Sequence, residues 1–144
     1  MIRSVRCSLA ALTVAVSIGL AYAAGETTTY KADLKGASEV PANTTKGTGE
    51  VTATYDPGSK MLSWKGSYSG LTGPVTAAHF HGPAEPDKNA GVLVPAPAAT
   101  SPFSGSATLD DTKAADLAAG KIYFNVHTAA NPGGELRGQL VKAK

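Results

Sequence analysis

The residues with the clearest capacity for chemistry are His79, His81 and His127, the only three histidines in a chain of 144 residues. The first two lie in the string HFHGPAEP and the third in YFNVHTAANPGG. Both strings read as a β-strand running into a turn. Imidazole is the commonest protein ligand for transition ions. On a strand, side chains alternate between faces with period two, so a His-x-His pair puts both rings on one face. A third imidazole from a neighbouring strand would complete a three-nitrogen site with an open position, which suits Cu(II) or Zn(II) and, less well, Fe(II). Copper heads the expectation, because the Irving–Williams order places Cu(II) highest at a nitrogen-rich site, with zinc behind it. The competing reading is that these rings order turns: His79 or His81 bonding the Gly82–Pro83 loop, and His127 bonding the Asn131–Gly134 turn.

Four further residues fall close to these strings. Tyr123 and Asn125 alternate with His127 on its strand, and Glu135 and Arg137 follow the next turn. They are expected to stand behind the imidazoles, Asn125 either orienting a ring or satisfying the edge of its strand. Glu85, Asp87 and Glu135 could offer a carboxylate as a fourth ligand, and Tyr123 a phenol. Arg137 has two readings, an anion-steering group near the ion or, preferred, an ion pair with Glu135 or a neighbouring strand residue. If the ion is held as proposed, binding weakens below about pH 6 as imidazoles protonate.

The first 23 residues read as a signal peptide. Arg3 and Arg6 supply a positive start, Leu9 to Leu20 an apolar run, and Ala21-Tyr22-Ala23 an A-x-A cleavage signal. The run is short for a membrane span. Removal of this segment takes away Cys7, the single cysteine, and two of the 13 basic residues, leaving a formally neutral chain against 11 acidic residues. The expected location is therefore periplasmic or secreted, with no membrane attachment after cleavage and no basic stripe for nucleic acid. Residues 24–144 are expected to form one domain with one core, without disulfides.

The elements that must hold the histidines are strands. Thr27–Leu34, Gly47–Tyr55, Lys60–Tyr68, Pro74–His81, Val92–Val94, Phe103–Leu109, Lys121–His127 and Glu135–Val141 each carry alternation or β-branched and aromatic content. Asp56-Pro57-Gly58-Ser59 closes a hairpin spanning Glu50–Tyr68, and Asn131-Pro132-Gly133-Gly134 closes another. Trp64 reads as core. Asp110 or Asp111 caps one short helix that runs to Ala119, with Gly120 as its left-handed stop. Many short strands separated by turns predict an all-β fold, an antiparallel Greek-key-like β-sandwich with one short helix.

The strings GLTGPVTAAHFHGPA, GVLV, L-x-x-G-x-x-YFNVHT and NPGGELRGQL, spanning Gly70 to Leu140, closely resemble the CHRD domain, named for its repeats in chordin and found singly in exported bacterial proteins. The resemblance covers about Thr28 to Leu140. It implies an extracytoplasmic all-β domain and no settled activity. More loosely, His79-Phe80-His81 is similar to the copper-ligating strand pair of copper–zinc superoxide dismutases, which are Greek-key sandwiches. This chain departs from them in having no fourth histidine, no histidine-rich zinc loop and no disulfide. A mononuclear three-histidine copper site without zinc is the form its residues support.

No catalytic set is identified. A nucleophilic cysteine is missing after cleavage, and no G-x-S-x-G elbow, P-loop or dinucleotide glycine motif occurs. The functional expectation is an exported CHRD-domain protein that binds a transition metal, copper first, through three histidines, with dismutase-like redox activity as a weaker possibility. The alternative is a non-enzymatic extracellular protein-interaction module with no metal and an unknown protein partner.

Overall fold

A computed structural model describes residues 25–144; the signal segment lies outside the described residues. The chain folds as antiparallel strands with a single short helix: β1 (Thr28–Lys35), β2 (Thr48–Asp56), β3 (Met61–Ser69), β4 (Val75–His81), β5 (Val92–Pro95), β6 (Phe103–Thr108), α1 (Asp111–Ala118), β7 (Tyr123–Thr128), β8 (Leu136–Gln139) and β9 (Val141–Lys142). A 3₁₀ turn at Gly36–Ser38 follows β1. The spatial order is β5-β4-β7-β8-β1-β2-β3-β6, with β9 also pairing β1. Sequence neighbours β3 and β4 thus lie far apart in the sheet, as do β5 and β6, so those connections cross from one half to the other.

The sheet curls so that its two halves face each other across one core. Trp64 of β3 meets Phe80 of β4 with ring centroids 4.9 Å apart, and Phe103 of β6 stacks on Phe124 of β7 at 5.5 Å. Inward residues alternate as the sequence predicts: Val51 and Ala53 on β2, Leu62 and Trp64 on β3, Ala78 and Phe80 on β4, Phe124 and Val126 on β7. Each large apolar side chain fully buried here contributes about 1.5–3 kcal/mol by leaving water. Gly105 on β6 is forced by close approach, because a Cβ there would stand 2.5 Å from the Trp64 ring.

Helix α1 begins and ends by the expected chemistry. The Asp110 carboxylate accepts the Lys113 N–H at 2.8 Å. At the other end, Gly120 has φ +73°, its N–H donates to the Leu117 carbonyl, and the Lys121 N–H donates to the Asp116 carbonyl. Leu117, fully buried, pins the helix to the core.

The last strand departs from expectation. Instead of running unbroken from Glu135 to Val141, it divides at Leu140 into β8 and β9. Leu140 is fully buried and its N–H donates to the Ile122 carbonyl, on the β7 side. Val141 and Lys142 then pair with Lys31 and Tyr30 of β1. The strand breaks where its pairing changes partner. None of the described helices is long and apolar enough to cross a membrane.

Candidate metal centre

Strands β4 and β7 are immediate neighbours, and their register decides what the histidines can do. Ala77 lies opposite His127, His79 opposite Asn125, and His81 opposite Tyr123. His127 therefore sits diagonally across from His79 on the face turned away from the core. The ring centroids are 5.1 Å apart for His79–His127, 5.3 Å for His79–His81 and 5.9 Å for His81–His127. One ligand nitrogen from each lies within 4.8 Å of the others. His81 is buried, and His79 and His127 are half-buried.

Hydrogen bonds select the nitrogens on offer. His81 Nδ1 lies 3.0 Å from the Ala90 carbonyl oxygen, and His127 Nδ1 lies 3.0 Å from that of Pro132. A carbonyl only accepts, so each Nδ1 carries the proton and donates. The lone pair of each neutral ring then sits on Nε2. His81 Nε2, His127 Nε2 and His79 Nδ1 are all buried and without a partner. A buried polar atom left unpaired costs about 1–3 kcal/mol, so a cluster of them is a feature to be explained. Burial, and then the neighbouring His127, hold His79 below the ordinary histidine range. For His81 burial again dominates in lowering the pKa, against the Ala90 hydrogen bond, which raises it. In both rings the net shift favours the neutral form.

The turn-ordering role is therefore real for two of the rings, though the bond of His81 goes to Ala90 at the far end of its loop. It does not compete with ligation, since it uses the other nitrogen. It fixes the tautomer a metal requires.

The four neighbours divide. Tyr123 stacks on His81, centroids 5.0 Å apart and planes 5° apart. Its hydroxyl accepts the Ala90 N–H at 3.1 Å. From the β8 side, Arg137 lays its guanidinium 3.6 Å over the same Tyr123 ring. Arg137 is only 1% exposed. The expected ion pair with Glu135 is not formed. The guanidinium instead donates to Asn89 Oδ1 at 2.9 Å and to the Lys88 carbonyl at 2.6 Å, in the Gly82–Gly91 loop that folds over it.

Glu135 is taken up elsewhere. Its carboxylate accepts from the hydroxyls of Thr45, Thr72 and Thr128 and from the Thr72 N–H, at 2.7–2.9 Å. Burial acts to raise its pKa, but these bonds prevail and bring it down to about 2. Asn125 donates to the Leu136 carbonyl at 3.0 Å and to Glu39 at 2.5 Å, rather than to an imidazole. Tyr123 and Arg137 thus back the site, while Asn125 and Glu135 brace the chain around it.

Glu39 is the residue the sequence did not single out. It is 8% exposed, and burial raises its carboxyl to about 7, opposed by Arg137 and by the Asn125 hydrogen bond. It lies between β1 and β2, just after the 3₁₀ turn, with no spacing to mark it. Gly134, at φ +132°, lets it fit, since a Cβ there would meet the Glu39 carboxylate at 2.7 Å.

Residues 30–140 match the family model of the CHRD domain. Neither the curated proteins nor the solved structures supply a match.

Proposed function

The chain belongs to the CHRD domain family, and from that premise we propose that it is an exported protein that binds one transition-metal ion, copper before zinc, through His79 Nδ1, His81 Nε2 and His127 Nε2. The observation that carries this reading is the group of three buried, unpartnered imidazole nitrogens, together with the convergence of the three histidines on ligand atoms within 4.8 Å. Metal–nitrogen bonds of about 2.0–2.1 Å place nitrogens roughly 3.3–3.6 Å apart in tetrahedral or trigonal sites. Loading the ion would draw the three nitrogens from within 4.8 Å to that spacing. Three neutral nitrogens favour Cu(II) over the other divalent ions of the first row.

The signal-like residues 1–23 support delivery to the periplasm or the exterior, where the protein would store, pass on or sequester copper. No catalytic residue is assigned. The test is metal analysis of the protein purified without a histidine tag, followed by titration with Cu(II) and Zn(II). One equivalent of Cu(II) per chain, held more tightly than Zn(II), is expected. Uptake of neither ion overturns the reading.

A further inference from the structure

We propose that the fourth position on the ion held by His79, His81 and His127 takes a small anion from solution; this rests on the metal reading above and names the ligand class that completes the site. The first argument is elimination. The metal-ligand group contains three histidines and no Asp, Glu or Cys among the described residues. None of the carboxylates that the sequence offers as a fourth donor belongs to that group. Glu85 faces Lys121 at 3.8 Å, and Asp87 pairs with Lys88 at 3.0 Å. Glu135 is saturated by Thr45, Thr72 and Thr128. The Tyr123 hydroxyl is tied to the backbone of Ala90, and Glu39 to Asn125.

The second argument is charge. Three neutral imidazoles leave a divalent ion with its full double charge, whereas each carboxylate or thiolate ligand would cancel one unit. The buried Arg137 guanidinium, on the Tyr123 ring that stacks against His81, adds positive charge to the same neighbourhood. A neutral ligand such as water leaves that charge uncompensated, and an anion does not. Access is the third. The ligating nitrogens are buried, but the rings of His79 and His127 are partly exposed, and His79 forms part of the wall of a surface groove of about 320 Å³. The ligand must be small, because His81 is buried beneath the Gly82–Gly91 loop.

The probe is azide, added to the Cu(II)-loaded protein and followed by near-ultraviolet absorption and electron paramagnetic resonance. The expected result is a new ligand-to-metal charge-transfer band that saturates at one azide per copper, with a matching change in the resonance spectrum. Chloride at high concentration should shift the azide titration to higher concentrations. Glu85→Gln should leave the azide affinity unchanged. Copper signals that ignore a large excess of azide overturn the proposal while leaving the metal site intact. So does a several-fold gain in azide affinity in Glu85→Gln, since the carboxylate would then have held the position. A chain that takes up no Cu(II) overturns this proposal together with the reading beneath it.

Discussion

The β2–β3 and β7–β8 hairpins are built on the same plan and end differently. Both are antiparallel, and both turn apolar residues into the core: Val51, Ala53, Leu62 and Trp64 from one, Phe124, Val126 and Leu136 from the other. In β2–β3 the opposite face carries Glu50, Ser63 and Lys65 into solvent. In β7–β8 the opposite face is covered by the loops at 82–91 and 36–46, so that Tyr123, Asn125 and Arg137 are as buried as their apolar neighbours. An ordinary half-wet hairpin needs one buried face. Covering the second face with polar side chains carries a desolvation cost that must be offset bond by bond. Of the five buried side-chain atoms without a partner among the described residues, three are the imidazole nitrogens His79 Nδ1, His81 Nε2 and His127 Nε2, on β7 and its neighbour β4; the other two are Trp64 Nε1 and Gln139 Oε1.

The inner face sets the scale. Phe124 is fully buried between Phe80, at 4.8 Å, and Phe103, at 5.5 Å. Phe124→Ala should cost about 3–5 kcal/mol in urea unfolding through the lost transfer energy and the cavity left behind. A cost under 1 kcal/mol would mean that the two halves do not share one core.

The next largest effect belongs to the braces of the covered face. Glu135→Ala removes the acceptor of four hydrogen bonds and should cost roughly 3 kcal/mol near neutral pH. Because the folded pKa is lowered, from 4.5 to about 2, the ionised carboxylate stabilises the fold fully above pH 4.5. That contribution disappears as pH falls toward 2. The gap between wild type and variant should shrink over that window, and a gap independent of pH would show that the bonds do not depend on the charge.

Glu39 has the opposite sign. Its folded pKa is raised to about 7, so its protonated form stabilises the fold below pH 4.5, and that stability is lost as pH rises through 7. Glu39→Gln, which keeps an oxygen for Asn125, should match wild type near pH 5. Above pH 8 it should be more stable by roughly 1–3 kcal/mol. Unfolding curves at the two pH values check this, and a variant weaker at both would make Glu39 an ordinary counter-ion of Arg137. The smallest effect is expected on the wet face, where Ser63→Ala should change stability by no more than about 0.5 kcal/mol.

This contrast also explains how much was legible in the sequence. Alternation and turn chemistry disclosed the strands and the helix, because those signals are local: Asp110 and Gly120 mark the ends of α1 from their own chemistry. The clustering of the three histidines was legible for the same reason, since His-x-His declares a shared face and NPGG places His127 near the end of its strand. The covering of the second face was not legible. It depends on contacts such as Asn125 with Glu39 and Arg137 with Asn89, 86 and 48 residues apart, which no local pattern encodes. Local spacing points Arg137 toward Glu135 or a neighbouring strand residue, whereas its partners Asn89 and Lys88 lie in the loop after β4, with three strands and the helix between that loop and β8. The break at Leu140 escaped for a related reason, because a change of pairing partner leaves the alternation of side chains intact.

The central claim is that His79, His81 and His127 act together on one ion. Calorimetric titration of Cu(II) into wild type and into the His79→Ala/His81→Ala double variant tests it most directly. Two of the three histidines are removed from the face turned away from the core, so the fold can be checked independently by circular dichroism. The expected result is one equivalent bound by wild type and a loss of affinity of at least a hundredfold in the folded variant. Equal Cu(II) affinity in the two proteins would contradict it.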